Sequence, residues 1–243
     1  MNLLLLKRTE LSDDSTLTLR DKRAEHLIRV LRVSSGDHVR VGLLNGPRGT
    51  GRVESVASDQ VVLRCAFEDA PPPVSRLDLI LALPRPKVMK RLWAQLAALG
   101  VGRIILTNAA RVERNYFDTH VIDPDFYTPL LIEGLQQAQD THLPEVSLQR
   151  RFKLLIEDDL ATLSDAPLRF VAHPTAKTSV AEISHSASGR VLLAIGPEGG
   201  WVPFELELLA EHGFTAVHFG ARTLRSDTAC IAAIATVTQF LMP

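Results

Sequence analysis

Polar and apolar residues alternate in short stretches along the first 70 residues, with glycine-containing turns between them. The alternation is clearest at residues 38–41 and 51–56. A period of two residues between turn signals predicts a small β-barrel or a curled sheet. Between Asp21 and Leu31, apolar residues instead recur at steps of three and four, which predicts one helix with Asp21 as its N-cap.

Three consecutive prolines, at residues 71–73, mark a change of pattern. A stiff segment without backbone donors suits a domain boundary, so we expect one domain over residues 1–70 and a second over residues 74–243. In the second region, apolar runs of strand length alternate with segments of helical period. Strands are predicted at residues 77–83, 101–107, 169–172, 191–195 and 217–219, and helices near residues 88–99, 126–139 and 228–241.

This alternation predicts an α/β fold with a mostly parallel sheet and helices on both of its faces. In such folds, ligands bind at the carboxyl ends of the strands. The segments in that position are residues 173–174, 196–201 and 220–227. These three segments are therefore the candidate site.

The composition narrows the class of protein. The chain has 243 residues, is 46% hydrophobic and 23% charged, and carries a formal net charge of −1. These values are typical of a soluble globular protein, so any nucleic-acid site must be a local basic patch. Cys65 and Cys230 have no metal-ligand spacing and predict neither a zinc site nor a disulfide framework. With no signal-peptide pattern and no apolar run of about 20 residues, we expect a cytoplasmic protein without a metal.

The sharpest segment, Ile-Gly-Pro-Glu-Gly-Gly-Trp at residues 195–201, directly follows a predicted strand. Its glycines let the backbone approach a ligand closely or adopt positive φ angles. A simple tight connection between a strand and a helix has the same appearance. The Lys-Ser/Thr ending of a P-loop and the G-x-G-x-x-G spacing are both missing from the sequence, so neither nucleotide fingerprint is present.

A second segment, Phe-Gly-Ala-Arg-Thr-Leu-Arg-Ser-Asp-Thr-Ala at residues 219–229, leads from a predicted strand into a predicted helix. Ser226 or Asp227 is placed to cap that helix. Arg222 and Arg225 precede it at a strand's carboxyl end, where a cation can face an anionic or electron-rich substrate. The alternative for each arginine is a solvated position on the surface.

Together, these segments are similar to the two signature motifs of the RsmE family, which methylates small-subunit ribosomal RNA. The matching residues are Gly-Pro-Glu-Gly-Gly at 196–200 and Leu-Arg-Ser-Asp-Thr-Ala at 224–229. Residues 26–32, followed by Gly36 and Asp37, resemble the entry to that family's RNA-binding, PUA-like β-barrel. The resemblance covers essentially the full chain.

The resemblance implies a SPOUT domain whose C-terminal chain forms a trefoil knot, a homodimer, and S-adenosylmethionine bound in the knot loops. By matched position, the cofactor-binding residues are His173, Pro174, Ile195, Gly196, Pro197, Gly199, Gly200, Phe219, Gly220, Leu224 and Arg225. Glycine suits this role because backbone N–H and C=O groups can enclose adenine only where side chains are small or absent.

The activity implied by the resemblance is methylation of N3 of a uridine in 16S ribosomal RNA. A uracil that loses its N3 proton carries negative charge on its ring oxygens, which a fixed cation stabilises, and we assign this catalytic role to Arg225. Glu198 is the motif carboxylate that orients the base or accepts a proton. Its alternative role is structural, with the carboxylate accepting hydrogen bonds from neighbouring backbone N–H groups.

Two basic clusters, between residues 20 and 40 and between residues 85 and 91, are candidates for binding RNA phosphates. Charge runs of this kind are otherwise solvated faces. The residues assigned to RNA binding are Arg23, His26, Arg29, Arg32, Lys87, Lys90, Arg111 and Arg222. For His26, a core or capping role is the alternative.

The sequence departs from the family pattern at two positions. Ala98 stands where family members usually carry glutamate, and Asp140 stands where they usually carry arginine. The second departure reverses a charge, which leaves two other functions open. One is a SPOUT methyltransferase that acts on another RNA position, either a base or a ribose 2′-hydroxyl. The other is a non-catalytic RNA-binding assembly protein.

Overall fold

A computed structural model of the chain describes residues 2–182 and 189–241. The chain forms two units, Met1–Val74 with Ile132–Leu143, and Ser75–Leu131 with Pro144–Pro243. The segment from the middle of the chain is bonded within the first unit, where the N–H of Leu3 donates to the carbonyl of Gln136 at 3.1 Å.

The first unit contains a five-stranded sheet with the strand order β1-β3-β4-β5-β2. Its strands are β1 (Leu4–Leu6), β2 (Thr16–Leu19), β3 (His38–Leu43), β4 (Arg48–Val56) and β5 (Val61–Phe67). Neighbouring strands are antiparallel except for the parallel pair β1 and β3. The register of β4 against β5 shifts between Val53 and Ser55, an irregularity that bends a strand. The predicted curled sheet is confirmed.

The helix predicted in this unit is confirmed, although its last turn differs from the prediction. Helix α1 (Lys22–His26) begins after Asp21, whose side chain caps it, and continues as a π-helical turn, Leu27–Leu31. Ala24 is buried, whereas Leu31, which the pattern placed on the same face, is 48% exposed. A π-helical turn has i→i+5 bonding, so a spacing of three and four no longer keeps residues on one face.

The second unit is built on a seven-stranded sheet with the order β10-β12-β9-β11-β6-β7-β8, and the paired neighbours are parallel. Its strands are β6 (Leu77–Ala82), β7 (Arg103–Thr107), β8 (Glu145–Gln149), β9 (Leu168–Ala172), β10 (Thr178–Ser179), β11 (Val191–Ile195) and β12 (Phe214–His218). Strands β6 and β11 are completely buried, as their continuous apolar runs predict. The parallel α/β architecture is confirmed.

The remaining helices are α2 (Pro86–Ala98), α3 (Pro124–Ala138), α4 (Phe152–Leu154), α5 (Leu160–Leu163), α6 (Pro203–Glu211) and α7 (Ser226–Leu241), with a π-helical turn, Leu155–Asp159, between α4 and α5. Short 3-10 turns occur at Arg8–Glu10, Arg114–Asp118, His120–Ile122 and Val180–Glu182. Gly100 follows α2 with a φ of +76°, the left-handed conformation in which glycine commonly ends helices.

Beyond shifts of one or two residues at the ends of β6, β7 and β9, three strands differ from the sequence prediction. Strand β12 begins at Phe214 rather than at residue 217. Its first half was not recognised, because Thr215 and Ala216 are exposed and interrupt the buried apolar pattern by which a strand is predicted. Strand β8 was missed because its residues are half-buried or exposed and form no apolar run. Strand β10 has two residues, too few for a pattern.

A buried carboxylate, Asp78, stabilises the amino end of this sheet. It lies on β6, is 0% exposed, and accepts hydrogen bonds from Oγ of Ser164 at 2.8 Å and Nε of Arg190 at 3.1 Å. A buried charge needs partners of this kind to offset its lost hydration. Because these partners satisfy Asp78 inside the fold, the cluster is structural.

Candidate functional site

The loops that follow β9, β11 and β12 line a cavity of about 370 Å³ at the carboxyl ends of these strands. Pockets for small molecules commonly have volumes of about 300–1,000 Å³. The predicted cofactor-binding residues that line it are His173, Pro174, Ile195, Gly196, Pro197, Gly199, Gly200, Phe219, Gly220 and Leu224. Arg225 is not among the lining residues and is exposed. The assignment of these residues to a cofactor stays a prediction.

The first side of the cavity, which we call the glycine wall, is residues 196–201. Two of its glycines allow side chains to pack closely on the backbone. A Cβ on Gly196 would lie 3.0 Å from Nε1 of Trp201, and one on Gly199 would lie 2.9 Å from Cδ of Arg111. Gly200 has a φ of +74°, which only glycine adopts readily. Glycine is therefore required for two different reasons in this motif: close packing of a side chain at Gly196 and Gly199, and a positive φ at Gly200.

Glu205, to which the sequence analysis gave no role, connects the glycine wall to a neighbouring loop. It is 3% exposed, its Oε1 accepts the N–H of Ala110 at 2.7 Å, and its Oε2 accepts the N–H of Val202 at 2.9 Å. The second bond satisfies a free N–H at the start of α6. Pro203 with a glutamate two positions later is a signal for the start of a helix. The contact between Glu205 and Ala110 could not be predicted from the sequence.

Trp201, at the end of the glycine wall, lies in a segment predicted as candidate site, but the sequence analysis gave it no individual role. It is 4% exposed and lines the cavity. Its ring lies against Phe152, with ring centroids 5.3 Å apart. Within the described part of the chain, its buried Nε1 has no hydrogen-bond partner. The sequence feature that could have indicated a role for Trp201 is an aromatic residue directly after a run of glycines.

The second side of the cavity, which we call the arginine wall, is residues 219–225. Gly220 has a φ of +111°, and its N–H donates to Nδ1 of His218 at 3.2 Å. Arg222 lines the cavity, whereas Arg225 lies between two lining residues, Leu224 and Ser226, without being one itself. Both arginines are exposed. This wall therefore presents cations to solvent at the cavity margin.

Helix α7 begins at Ser226, so the predicted caps, Ser226 and Asp227, lie inside its first turn instead of before it. Oδ1 of Asp227 accepts the N–H of Thr228 at 2.9 Å, and Oδ2 accepts Nη2 of Arg91 at 2.7 Å. A carboxylate in the first turn also interacts favourably with the helix dipole. Asp227 thus joins α7 to α2, a role that depends on a residue 136 positions away.

Glu198 lines the cavity and is bonded to Arg85. Its Oε1 accepts the backbone N–H of Arg85 at 3.2 Å and Nε of the same residue at 3.3 Å. The pKa of Tyr116 is raised by desolvation and by the negative charges of Glu113 and Glu198. Two roles were considered for Glu198. Its bond to the backbone N–H of Arg85 fits the structural role, and its position in the cavity lining fits the role of orienting a base or accepting a proton.

Cys230 lies on α7, one residue after Ala229, which lines the cavity. Burial raises the pKa of its thiol to about 12. A thiol that stays protonated is a poor nucleophile, and Cys230 is buried and not among the residues that line the cavity. Cys65 in the first unit is also a buried free thiol.

The RNA-binding candidates of the first unit have different surroundings. Arg23 forms an ion pair with Glu10, and Arg29 pairs at 3.1 Å with a glutamate one turn earlier. Arg32 is exposed, with a φ of +54°. Nε2 of His26 is buried and lacks a hydrogen-bond partner among the residues described. Arg23 has a structural role, while Arg29 and Arg32 are available to a partner.

In the second unit, Lys87 and Lys90 are exposed on α2, and the ammonium of Lys90 lies 5.9 Å from the ring centroid of Phe126. Arg111 lines the cavity and donates to the carbonyl of Gly199. The structure thus brings Arg111, Arg222 and Glu198 to one cavity. The two lysines lie outside its lining.

The two departures from the family pattern fall outside the cavity lining. In the first unit, Oδ1 of Asp140 accepts the N–H of Thr141 at 2.6 Å and that of His142 at 3.3 Å. Asp140 therefore closes the turn after α3, where Gln139 has a φ of +59°. Ala98 is exposed near the end of α2.

Over residues 2–182 and 189–241, no group of three or more His, Cys, Asp or Glu side chains is arranged to hold a metal ion. In the same part of the chain, no helix is long and apolar enough to cross a membrane.

Comparison with known proteins gives two family matches. The family described as RNA methyltransferase domain matches residues 70–238, and the family described as RNA methyltransferase PUA domain matches residues 19–64. A similar protein is the ribosomal RNA small subunit methyltransferase E of Treponema pallidum, 32% identical over 98% of this chain and 90% of that protein. The ribosomal RNA small subunit methyltransferase E 1 of Borreliella burgdorferi is 24% identical over 96% of this chain and 95% of that protein.

Two solved structures have the same fold. One is a ribosomal RNA small subunit methyltransferase E from Neisseria gonorrhoeae bound to S-adenosyl methionine, with a TM-score of 0.77, 23% identity, and coverage of 99% of this chain and 98% of that one. The other is a probable rRNA-methyltransferase from Porphyromonas gingivalis, with a TM-score of 0.78, 23% identity, and the same coverage. At these identities the likeness establishes the fold.

Proposed function

This chain belongs to the RNA methyltransferase family that includes the ribosomal RNA small subunit methyltransferase E proteins, and on that premise we propose that it methylates N3 of a uridine in 16S ribosomal RNA with S-adenosylmethionine. The observation that carries the proposal is the cavity at the carboxyl ends of β9, β11 and β12. Both motif segments line it, and parallel sheets bind ligands at this edge.

The residues around the cavity suit S-adenosylmethionine. Glycines on both walls add no side chains of their own: a Cβ on Gly196 or Gly199 would crowd Trp201 or Arg111, and the position of a Cβ on Gly220 is open space. When bound, this cofactor supplies a methyl group activated by the positive charge of its sulfonium. We propose that the lining residues His173, Pro174, Ile195, Gly196, Pro197, Gly199, Gly200, Phe219, Gly220 and Leu224 hold it, with Arg225 at the margin.

The protein's own contribution to the reaction is alignment and charge stabilisation. We assign Arg225 to stabilising the negative charge on the uracil oxygens. Its exposure at the cavity margin supports this role, because an RNA base arrives from solvent. Glu198 faces the cavity beside Arg85 and is assigned to orienting the base or accepting its proton.

The finer features of the fold belong to the same proposal. We propose that residues 1–70 form a PUA-like β-barrel that binds RNA and that residues 74–243 form a SPOUT domain with a trefoil knot. The match of residues 19–64 to a PUA family supports the first, and the match of residues 70–238 to an RNA methyltransferase domain supports the methyltransferase assignment of the second. We also propose a homodimer, which sedimentation at several protein concentrations tests directly.

The test is methyl transfer from labelled S-adenosylmethionine to small ribosomal subunits that lack the modification, followed by identification of the labelled nucleotide. We expect 3-methyluridine. The Arg225→Ala variant is expected to lower kcat by about 100-fold, the effect typical of losing one group that stabilises developing charge. Its cofactor affinity should change by less than about threefold, because an exposed side chain outside the lining contributes little binding energy.

The Arg225→Lys variant is the matched control, because it keeps the positive charge without the planar guanidinium. Recovery of part of the activity in this variant supports a role for charge. Label in another base or on a ribose would overturn the N3-uridine assignment and keep the enzyme class. Tight cofactor binding without any transfer to RNA would overturn the substrate.

A further inference from the structure

Trp201 has a polar atom that the protein itself leaves unsatisfied. The residue is 4% exposed, and no described residue accepts a hydrogen bond from its Nε1. Buried N–H groups in proteins are nearly always paired with an acceptor, because an unpaired one loses its hydration without compensation. Other buried side-chain atoms among the described residues also lack a partner, but Trp201 lines the cavity, so an acceptor from outside the chain can complete its hydrogen bonding.

The position of Trp201 shows where that acceptor would be. The residue lines the cavity, and its Nε1 lies so close to Gly196 that a Cβ there would be 3.0 Å away. The ring is supported from within the fold by Phe152, with ring centroids 5.3 Å apart. The indole is thus held by packing, with its N–H beside the backbone of the glycine wall.

The chain contains one other tryptophan, which provides a comparison. Trp93 is 0% exposed, and its Nε1 donates to the carbonyl of Val121 at 2.8 Å. It is not among the residues that line the cavity. The fold therefore satisfies the indole in its interior and leaves the indole at the cavity without a partner.

We propose that the indole N–H of Trp201 donates a hydrogen bond to the ligand of this cavity, S-adenosylmethionine or its product S-adenosylhomocysteine. The inference rests on the proposed function and adds a binding residue to it. Both compounds carry acceptors, in the adenine ring, the ribose hydroxyls and the carboxylate. Trp201 then sets affinity through a directed bond, in addition to covering the cavity.

The test compares two identical substitutions at the two tryptophans, with S-adenosylhomocysteine as the probe because it cannot react. Trp201→Phe keeps an aromatic ring against Phe152 and removes the donor together with part of the ring volume, a loss of volume that Trp93→Phe shares. We expect it to weaken binding by about tenfold, the effect of one lost hydrogen bond in a buried site. Trp93→Phe should leave the affinity within about twofold, because its N–H is paired inside the fold.

The unfolding midpoint measured without ligand should rank the two variants in the opposite order from the binding affinity. Trp93→Phe loses an internal hydrogen bond and should lower the unfolding midpoint more than Trp201→Phe does. A merely structural role for Trp201 would instead lower the midpoint and leave the affinity unchanged.

A second readout observes the bond itself. With two tryptophans, the proton–nitrogen spectrum contains two indole signals, and the Trp93→Phe variant assigns them. We expect the Trp201 indole proton to move downfield when S-adenosylhomocysteine binds, while the Trp93 proton stays in place. Equal affinities of wild type and Trp201→Phe, or an unmoved Trp201 signal in a saturated complex, overturn the inference and leave the proposed function intact. Failure of wild type to bind the probe overturns both.

Discussion

The two walls of the cavity are built in different ways. The glycine wall is attached to the rest of the unit by side chains, with Trp201 packed on Phe152 and Gly199 bonded to Arg111. Glu205, just beyond it, accepts two backbone N–H groups. In the arginine wall, residues 220–223 are all exposed, and a bond from Gly220 to His218 is local.

This difference indicates that the two walls have different functions. A wall fixed by buried contacts keeps its geometry without a ligand, which favours recognition of a small, well-defined molecule. An exposed wall with cations adapts to a large substrate that approaches from solvent. We therefore expect substitutions that affect the glycine wall to alter stability and cofactor affinity, and those in the arginine wall to alter catalysis on RNA.

The largest stability effect is expected from Glu205→Gln. The amide keeps one acceptor oxygen and places a donor against the second backbone N–H, so one buried N–H loses its partner. We expect a loss of about 2 kcal/mol in the free energy of unfolding, measured by urea denaturation. Glu207→Gln changes an exposed carboxylate on the same helix and should cost less than about 0.5 kcal/mol. Similar losses in both variants would contradict the role given to Glu205.

Limited digestion with trypsin compares the two walls directly. Arg222 and Arg225 lie in an exposed loop, whereas Arg111, although exposed itself, donates to the carbonyl of Gly199 and is followed directly by the buried Val112. We expect cleavage after Arg222 or Arg225 to be about tenfold faster than after Arg111, because proteases need locally extended chain. Mass spectrometry of the early fragments measures the ratio. Faster cleavage at Arg111 would show that the glycine wall is the looser one.

A smaller effect is expected from Arg111→Ala, which removes the donor to the Gly199 carbonyl. One partly exposed hydrogen bond contributes little, so binding of S-adenosylhomocysteine should weaken by about threefold in calorimetric titrations. Arg114→Ala, at an exposed arginine in the next turn, is the control and should bind as wild type does. A loss of affinity in the control would assign the effect to net charge rather than to the bond.

The smallest expected effect is alkylation of Cys230 in the native protein. This measurement shows whether the buried start of α7 opens together with the exposed arginine wall. Burial raises its pKa to about 12, so the native thiol stays protonated at pH 8 and should resist iodoacetamide, whereas the urea-unfolded chain should react fully. The unfolded thiol ionises near pH 9, so the stability contributed by burying the neutral thiol is fully present below pH 9 and is lost progressively as the pH rises from 9 to about 12. Rapid native alkylation would show that α7 opens with the arginine wall.

Elements with a continuous apolar run or a long helical period could be predicted from the sequence. Strands β6 and β11 and helix α2 were found because complete or one-sided burial leaves a local pattern. Strand β8 and the π-helical turn Leu27–Leu31 were not found, because an edge strand with mixed exposure and a change in helical bonding leave none.

The candidate site divides in the same way. The motif loops were located correctly at the strand ends because loop position follows from the order of strands and helices. The roles of Trp201 and Glu205 were not predicted, although Trp201 lies in a predicted segment, because these roles depend on contact with Phe152 and Ala110, 49 and 95 residues away. Pairings over such distances depend on how the whole unit packs.

The sequence by itself determined the succession of strands and helices, the glycines at the strand ends and the motifs that place the chain in its family. These features depend on local backbone preferences and on apolar periodicity. Only the tertiary structure decided which arginine is bonded to the glycine wall and which indole N–H is satisfied. The reason is physical: burial and hydrogen bonding are properties of a packed neighbourhood, and identical residue types acquire different roles according to what the fold brings beside them.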